Sequence, residues 1–370
     1  MEDPQDRSVK DPKKQTAAQR GAVPGFWIPT SPEDWHQLVL AAKLTKETIN
    51  TLPAVLFGSG SVASHSQYLM MRAFSPVMEF EARYALTTRM KEFGFSKGLI
   101  NKAAETLKES NEWRSYLAAI ETNTRAEDLR EGEDNWPGAL IVPLTLQQQT
   151  TTVGGVPDHD RLLTLTNPLT RLRGSGERDT RESQLPEAED EMVVNAASVT
   201  FLQALSQLMP SSLEWVFNRL LFHPQFALGG YKTFTDGALR CRAQPDHIFA
   251  ILEVKRRDRH TSYAEMVMQE TCELVGWLLK SSSSIACFNG HSLMVSQDRD
   301  GLYLTFTPFN EAHQRYLVGE DGAEGFLRME TFGPFKTNND RDMALFGSVI
   351  LAAIEIAHNH ALDRCRSFVK

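Results

Sequence analysis

The chain has 370 residues, 41% of them hydrophobic, and a net charge of −8; that length allows one large or two modest domains with real cores. The acidic balance excludes a generic whole-surface nucleic-acid binder and leaves room only for a local basic groove. Four scattered cysteines, Cys241, Cys272, Cys287 and Cys365, include no C-x-x-C pair, which argues for free thiols in a reducing compartment and against a zinc site.

Taken in order, the first 22 residues read as a disordered polar tail and not as a signal peptide. Lys10, Lys13, Lys14 and Arg20 are either a weak nuclear-localisation patch or simply solvated. The expected location is intracellular, in nucleus or cytoplasm. Ser31-Pro32-Glu33-Asp34 predicts a helix start, with a cap residue, Pro in the first turn and acids against the dipole. Trp35, Leu38, Val39 and Ala42 then recur at helical spacing. Ser75-Pro76 predicts a helix running towards Gly94, and residues 96–122 one or two more, with Trp113, Tyr116 and Leu117 in the core. Residues 140–146 read as a strand. Residues 23–150 are thus a mainly helical N-terminal region and a candidate surface for a protein partner.

Gly154-Gly155-Val156-Pro157 and Arg173-Gly174-Ser175-Gly176 mark residues 151–186 as a linker or long loop. The acidic run 187–191 leads into a helix whose stripe is Val194, Ala197, Phe201, Leu205 and Leu208. A second helix is expected over 213–221. Next comes a hairpin over 231–259. Ser262-x-x-Glu265 is a capping box for a helix reaching about Lys280. Residues 281–284 break it, short strands are expected at 285–288 and 293–296, and a turn at 297–301 returns as a strand at 302–306. Residues 311–330 are mixed and polar with one short helix. A long helix over 342–364 closes the chain. Its apolar run, 346–357, is short and carries Glu355, so it reads as a core helix and no membrane span is expected. From residue 187 to 370 the order of elements predicts an α/β domain, a mixed β-sheet flanked by helices.

The hairpin carries the chemistry. Its second arm, residues 248–255, is the most β-prone run in the chain. It ends in Glu253-Val254-Lys255, which puts Glu253 and Lys255 on one face. Ile248, Ala250, Leu252 and Val254 face the other way, into core. Folding the hairpin about Ala243-Gln244-Pro245-Asp246 places Asp236 opposite Glu253 or close to it. Two carboxylates across a strand pair repel unless a cation sits between them, and Mg²⁺ takes few carboxylate oxygens and keeps several waters.

Asp, a hairpin, then Glu-x-Lys resembles the core of the PD-(D/E)XK nuclease superfamily. The literal Pro245-Asp246 is not the matching acid, because seven extended residues put it about 23 Å from Glu253; Asp236, in Thr235-Asp236-Gly237, is. Thr235-Asp236-Gly237, Glu253-Val254-Lys255, Met268-Gln269-Glu270, Ser296-Gln297-Asp298-Arg299 and Gly333-Pro334-Phe335 are also similar to a poorly characterised group of fungal nuclease-like proteins. The resemblance implies a restriction-endonuclease-like core and a metal-dependent nuclease acting on nucleic acid, DNA first. It implies Asp236 and Glu253 as ligands of Mg²⁺ or Mn²⁺, with the Val254 carbonyl as a further oxygen. Lys255 would orient water or stabilise charge on the phosphate, and Gln269 would stand beside it. Glu191 is either a third metal-binding carboxylate from the first core helix or an acid favoured by the helix dipole. Arg256, Arg257 and Arg259 either grip the phosphate backbone or form a solvated loop with Asp258. The alternative for the whole site is a catalytically silent nuclease fold that binds nucleic acid or a protein.

Overall fold

A computed structural model of the chain describes residues 16–76, 82–150, 187–257, 259, 262–280 and 287–367. The expected linker, the first fifteen residues of the tail, the start of the helix expected after Pro76 and the serine break at 281–284 lie outside them.

The run of β-prone residues at Ile248–Lys255 forms β6, with seven of its eight side chains buried. It lies inside a six-stranded sheet ordered β10 (Glu330–Lys336), β8 (Gly301–Pro308), β7 (His291–Asp298), β6, β5 (Gly237–Cys241) and β2 (Leu213–Val216). β5 pairs antiparallel with β6 as the expected hairpin, Gly237 opposite Leu252 and Ala238 opposite Ile251. β7 runs parallel to β6, with Ser296 beside Glu253 and Asp298 beside Lys255. Parallel neighbours need a crossover, and α9 (Tyr263–Lys280) supplies it. β8 returns antiparallel after the turn at Arg299-Asp300. The fold is therefore mixed α/β around a mixed sheet flanked by helices.

Both edge strands depart from expectation. Residues 213–221 do not form a helix; Leu213–Val216 is β2, paired with β5, and Leu221–Phe222 is β3, paired with β4 (Thr233–Phe234). Leu213 and Trp215 are buried with Glu214 between them half-exposed, a two-residue period, and Glu214 pairs across the ladder with Arg240 at 2.9 Å. At the other edge Glu330–Lys336 is β10, inside which the register shifts between Phe332 and Phe335. Its Gly333-Pro334 disguises it in sequence, and an edge strand tolerates such a proline. Residues 140–146 are not a strand either: α7 is Ile141–Thr150. Of the strand expected at 285–288, residues 285–286 lie outside the described residues, and Phe288 makes an isolated bridge to His291.

Two apolar clusters cover the two faces of the sheet. One gathers α5 (Lys97–Glu109), α6 (Asn111–Glu121), α7, α8 (Glu187–Gln207) and α11 (Asp340–Ser367) over Leu239, Ala250, Leu252, Val254 and Val295. The other packs α2 (Pro32–Ala41), α3 (His65–Met70), α9 and α10 (Glu311–Leu317) against Ala238, Ile248, Ile251 and Met294. Ile248 sides with Ile251 because the ladder shifts register between Leu239 and Arg240. The N-terminal region contributes to both clusters. α1 (Ala17–Arg20), within the stretch expected to be a tail, is a helical turn followed by Gly21, whose carbonyl accepts from Ser66 N–H at 3.1 Å. α4 (Ala82–Arg89) lies against β10, and β1 (Ala73–Phe74) pairs parallel with β9 (Leu327–Arg328). Ser31 caps α2 as expected, accepting from Asp34 N–H. Among the described residues only α11 is long and apolar enough to cross a membrane; Met343, Phe346, Val349, Ile350 and Ile354 on it are core.

Candidate functional site

The carboxyl-terminal ends of the parallel pair β6 and β7 meet the amino-terminal end of α8 and the side of α9. Ends of parallel strands leave polar groups facing a crevice, and the hairpin delivers Asp236 and Glu253 there. Asp236 N–H donates to Leu252 C=O at 2.9 Å, and its Oδ2 accepts from Val254 N–H at 3.0 Å. The carboxylate thus continues the ladder beyond the end of β5. Gly237 is required for this approach, since a Cβ there would stand 2.7 Å from the Val216 carbonyl of β2.

Glu253 is buried at 1% exposure. Lys255 Nζ lies 2.5 Å from its Oε1, and Gln269 Nε2 on α9 donates to the same oxygen. Its Oε2 is buried with no hydrogen-bond partner. Burial drives the Glu253 carboxyl well above the usual range; Lys255 opposes this and Asp236 adds to it. Burial depresses the Lys255 ammonium, but attraction to Glu253 and then Glu191 outweighs it, so the lysine stays charged. Glu191 Oε1 is 3.8 Å from Lys255 Nζ. Asn195, one turn along α8, has a buried Oδ1 without a partner.

Gln269 Nε2 also donates to Glu273 Oε1 at 3.0 Å. The polar edge of α9 at this point faces the site and not solvent. Glu273 is completely buried, its Oε2 is unpartnered, and burial followed by repulsion from Glu253 raises its carboxyl well above the usual range. Glu273, one turn along α9 from Gln269, was not assigned to the site from sequence. The signal was there, in two acids and an amide at four-residue spacing on an otherwise apolar helix. Arg219 was missed altogether: it comes from the loop after β2, with Nη2 3.4 Å from Asp236 Oδ1.

Arg259 is corrected. It is neither in a solvated loop nor open to a ligand, because its guanidinium is buried against two carboxylates. It is 2% exposed, with Nε 2.6 Å from Asp298 Oδ2, its terminal nitrogens on Glu270, and its guanidinium 4.4 Å from the Tyr303 ring centre. Ser296 and Tyr303 stand beside Glu253 in one row across the sheet. Arg259 therefore roofs that row and ties the segment after Lys255 to α9, a buried charge compensated by two carboxylates. Arg256 is half-buried and Arg257 exposed at the end of β6. His260 and Asp258 lie outside the described residues.

The donor set was tested against a divalent cation. Asp236 and Glu253 are both buried, burial and the Asp236 charge help to raise the Glu253 carboxyl, and Glu253 Oε2 has no partner. That set fits Mg²⁺ or Mn²⁺, which need one or two carboxylates plus water. Among the described residues no group of three or more His, Cys, Asp or Glu side chains is arranged to hold a metal, and Glu191 stands against Lys255 instead. Comparison with known proteins found no matching family model, no matching curated protein and no matching solved structure.

Proposed function

We propose that the protein is a metal-dependent nuclease with a restriction-endonuclease-like core, hydrolysing phosphodiester bonds in nucleic acid, with DNA the first substrate to test. The observation that carries this reading is the convergence of Asp236, Glu253, Lys255 and Gln269 at the end of β6, with an unpartnered carboxylate oxygen among them. Asp236 and Glu253 would hold Mg²⁺ or Mn²⁺, which lowers the pKa of a bound water and neutralises charge on the phosphate. Lys255, kept protonated by Glu253 and Glu191, would stabilise negative charge as it develops on the phosphate oxygens. Gln269 holds Glu253 in place through its amide, and Glu191 fixes the lysine.

A second reading, a catalytically silent fold that binds nucleic acid or a protein partner, draws on one observation: the described residues hold no three-ligand metal group. One experiment separates them. Purified protein is incubated with plasmid and single-stranded DNA in Mg²⁺ or Mn²⁺, beside Asp236→Ala and Lys255→Ala. Cleavage by the wild type that both variants lose by at least about 100-fold, the scale of removing a positioned charge, is expected. No cleavage of any polymer, together with no Mn²⁺ binding by calorimetry, leaves the silent reading.

A further inference from the structure

We propose that the outer face of the β3–β4 ribbon and the loop leading into it bind single-stranded nucleic acid, stacking bases on Phe217 and Phe234 and drawing the strand past Arg219 to Asp236. This rests on the reading of the neighbouring site as one that acts on nucleic acid.

The ribbon alternates strictly. Leu221, His223, Lys232 and Phe234 face solvent, while Phe222 and Thr233 are buried beneath them. Leu221 pairs with Phe234 and Phe222 with Thr233, so the exposed side chains share one surface. Val216 pairs with Ala238 and Thr235 N–H donates to Leu220 C=O at 3.2 Å, which holds residues 217–220 against 235–237. Phe217 and Phe234 are 45% and 43% exposed, unusual for phenylalanine in a folded chain. Arg219 joins this surface to the site: its guanidinium lies 5.8 Å from the Phe234 ring centre and 3.4 Å from Asp236.

Charge selects the occupant. Residues 217–223 and 231–235 contain Arg219 and Lys232 and no acid, in a chain of net charge −8, and Arg219 joins them to the acid that follows, Asp236. A purely apolar partner would gain nothing from the cations on this surface. Exposed rings on a surface that also carries cations are what a single strand requires, since each base offers a face and each link a phosphate. A duplex hides its base faces, so it cannot use the rings.

The test measures anisotropy of a fluorescein-labelled 20-mer oligothymidylate and of a duplex of equal length, with full-length protein in EDTA. Tighter binding of the single strand is expected. Phe217→Ala and Phe234→Ala should each weaken it about 5- to 150-fold, the range for one lost stack, and Trp27→Ala, an exposed ring elsewhere, should not. Phe234→Leu retains an apolar side chain and should weaken binding as well. Equal affinity for duplex, unchanged binding by the double variant Phe217→Ala/Phe234→Ala, or a dimer in solution that this variant dissociates would overturn the proposal. Because EDTA removes any need for cleavage, single-strand binding without nuclease activity would reject only the catalytic reading. Cleavage with ring-independent binding would reject only the surface.

Discussion

At the scale of single residues, Glu273 is the group whose environment makes the sharpest demand. A carboxyl that burial and Glu253 hold well above its ordinary value of 4.5 keeps its proton in the folded chain after the unfolded chain has released it. Its favourable contribution is complete below pH 4.5 and declines as pH rises towards the folded value, by up to about 1.4 kcal/mol per pH unit for one proton. Glu273→Gln retains the shape and removes the titration. In chelator, urea denaturation should find this variant close to wild type at pH 5 and more stable than wild type at pH 8. Parallel pH profiles for the two proteins would show that Glu273 titrates normally. Asp236, Glu253 and Lys255 were legible because strand period and hairpin symmetry fix where they point, whereas Gln269, on a helix, came only from the resemblance. Arg259 was misassigned because burial of a charge depends on Glu270 and Asp298, which arrive from α9 and β7; no local spacing announces that meeting.

Among the elements, those whose pattern is self-contained were legible. β6 and the β7–β8 hairpin are continuous β-prone runs buried on both faces, α9 and α11 are long apolar helices, and α2 carries its own cap. β2, β10 and α7 were not, since a four-residue edge strand, a proline-bearing edge and a helix opening on Ile141-Val142-Pro143 take their state from the partners they meet. The short helix α10 shows how such partners act. His313 Nε2–H donates to Met71 C=O at 2.8 Å, and Tyr316 O–H donates to Met70 C=O at 2.7 Å, docking α10 on the end of α3. Burial lowers the His313 imidazole to about 4. A depressed pKa contributes stability that is present above the ordinary value of 6.5 and is lost as pH falls towards 4. The loss approaches about 3 kcal/mol for this one group. His313→Gln, whose amide can still donate, should lose less stability than wild type between pH 7 and pH 4.5. Hydrogen exchange at the Met71–Ala73 amides, accelerating with acid in wild type but not in the variant, locates the effect.

At the scale of the whole molecule, the sheet is built by the C-terminal half and covered by both halves. Phe93 stacks on Phe306 at 4.1 Å between ring centres, and Trp113 and Tyr116 pack against Phe201. On the opposite face Tyr68, Leu69, Met70 and Met71 join Ile251, Met294 and Cys272 in one cluster. The seams are polar as well as apolar. Arg89 pairs with Glu330, Arg72 donates to the Ala323 carbonyl at 3.3 Å, and Gly60 N–H donates to the Lys232 carbonyl at 2.8 Å. A side chain at Gly60 would strike Thr233 at 2.2 Å, so the backbone of the N-terminal region lies directly on β4. Residues 187–370 expressed alone would expose both sheet faces wherever residues 23–150 now cover them. Each aromatic so exposed forfeits about 1.5–3 kcal/mol of burial, against a total stability of only about 5–15 kcal/mol for an ordinary domain. The fragment should therefore show no cooperative urea transition, weak near-ultraviolet dichroism and strong binding of an apolar dye, the marks of lost tertiary packing. Adding residues 16–150 in trans should restore the near-ultraviolet signal if the two surfaces dock as they do in the intact chain. A fragment that unfolds cooperatively on its own, with native-like dichroism, would mean that the C-terminal half holds a sufficient core and that the N-terminal region is an appended layer.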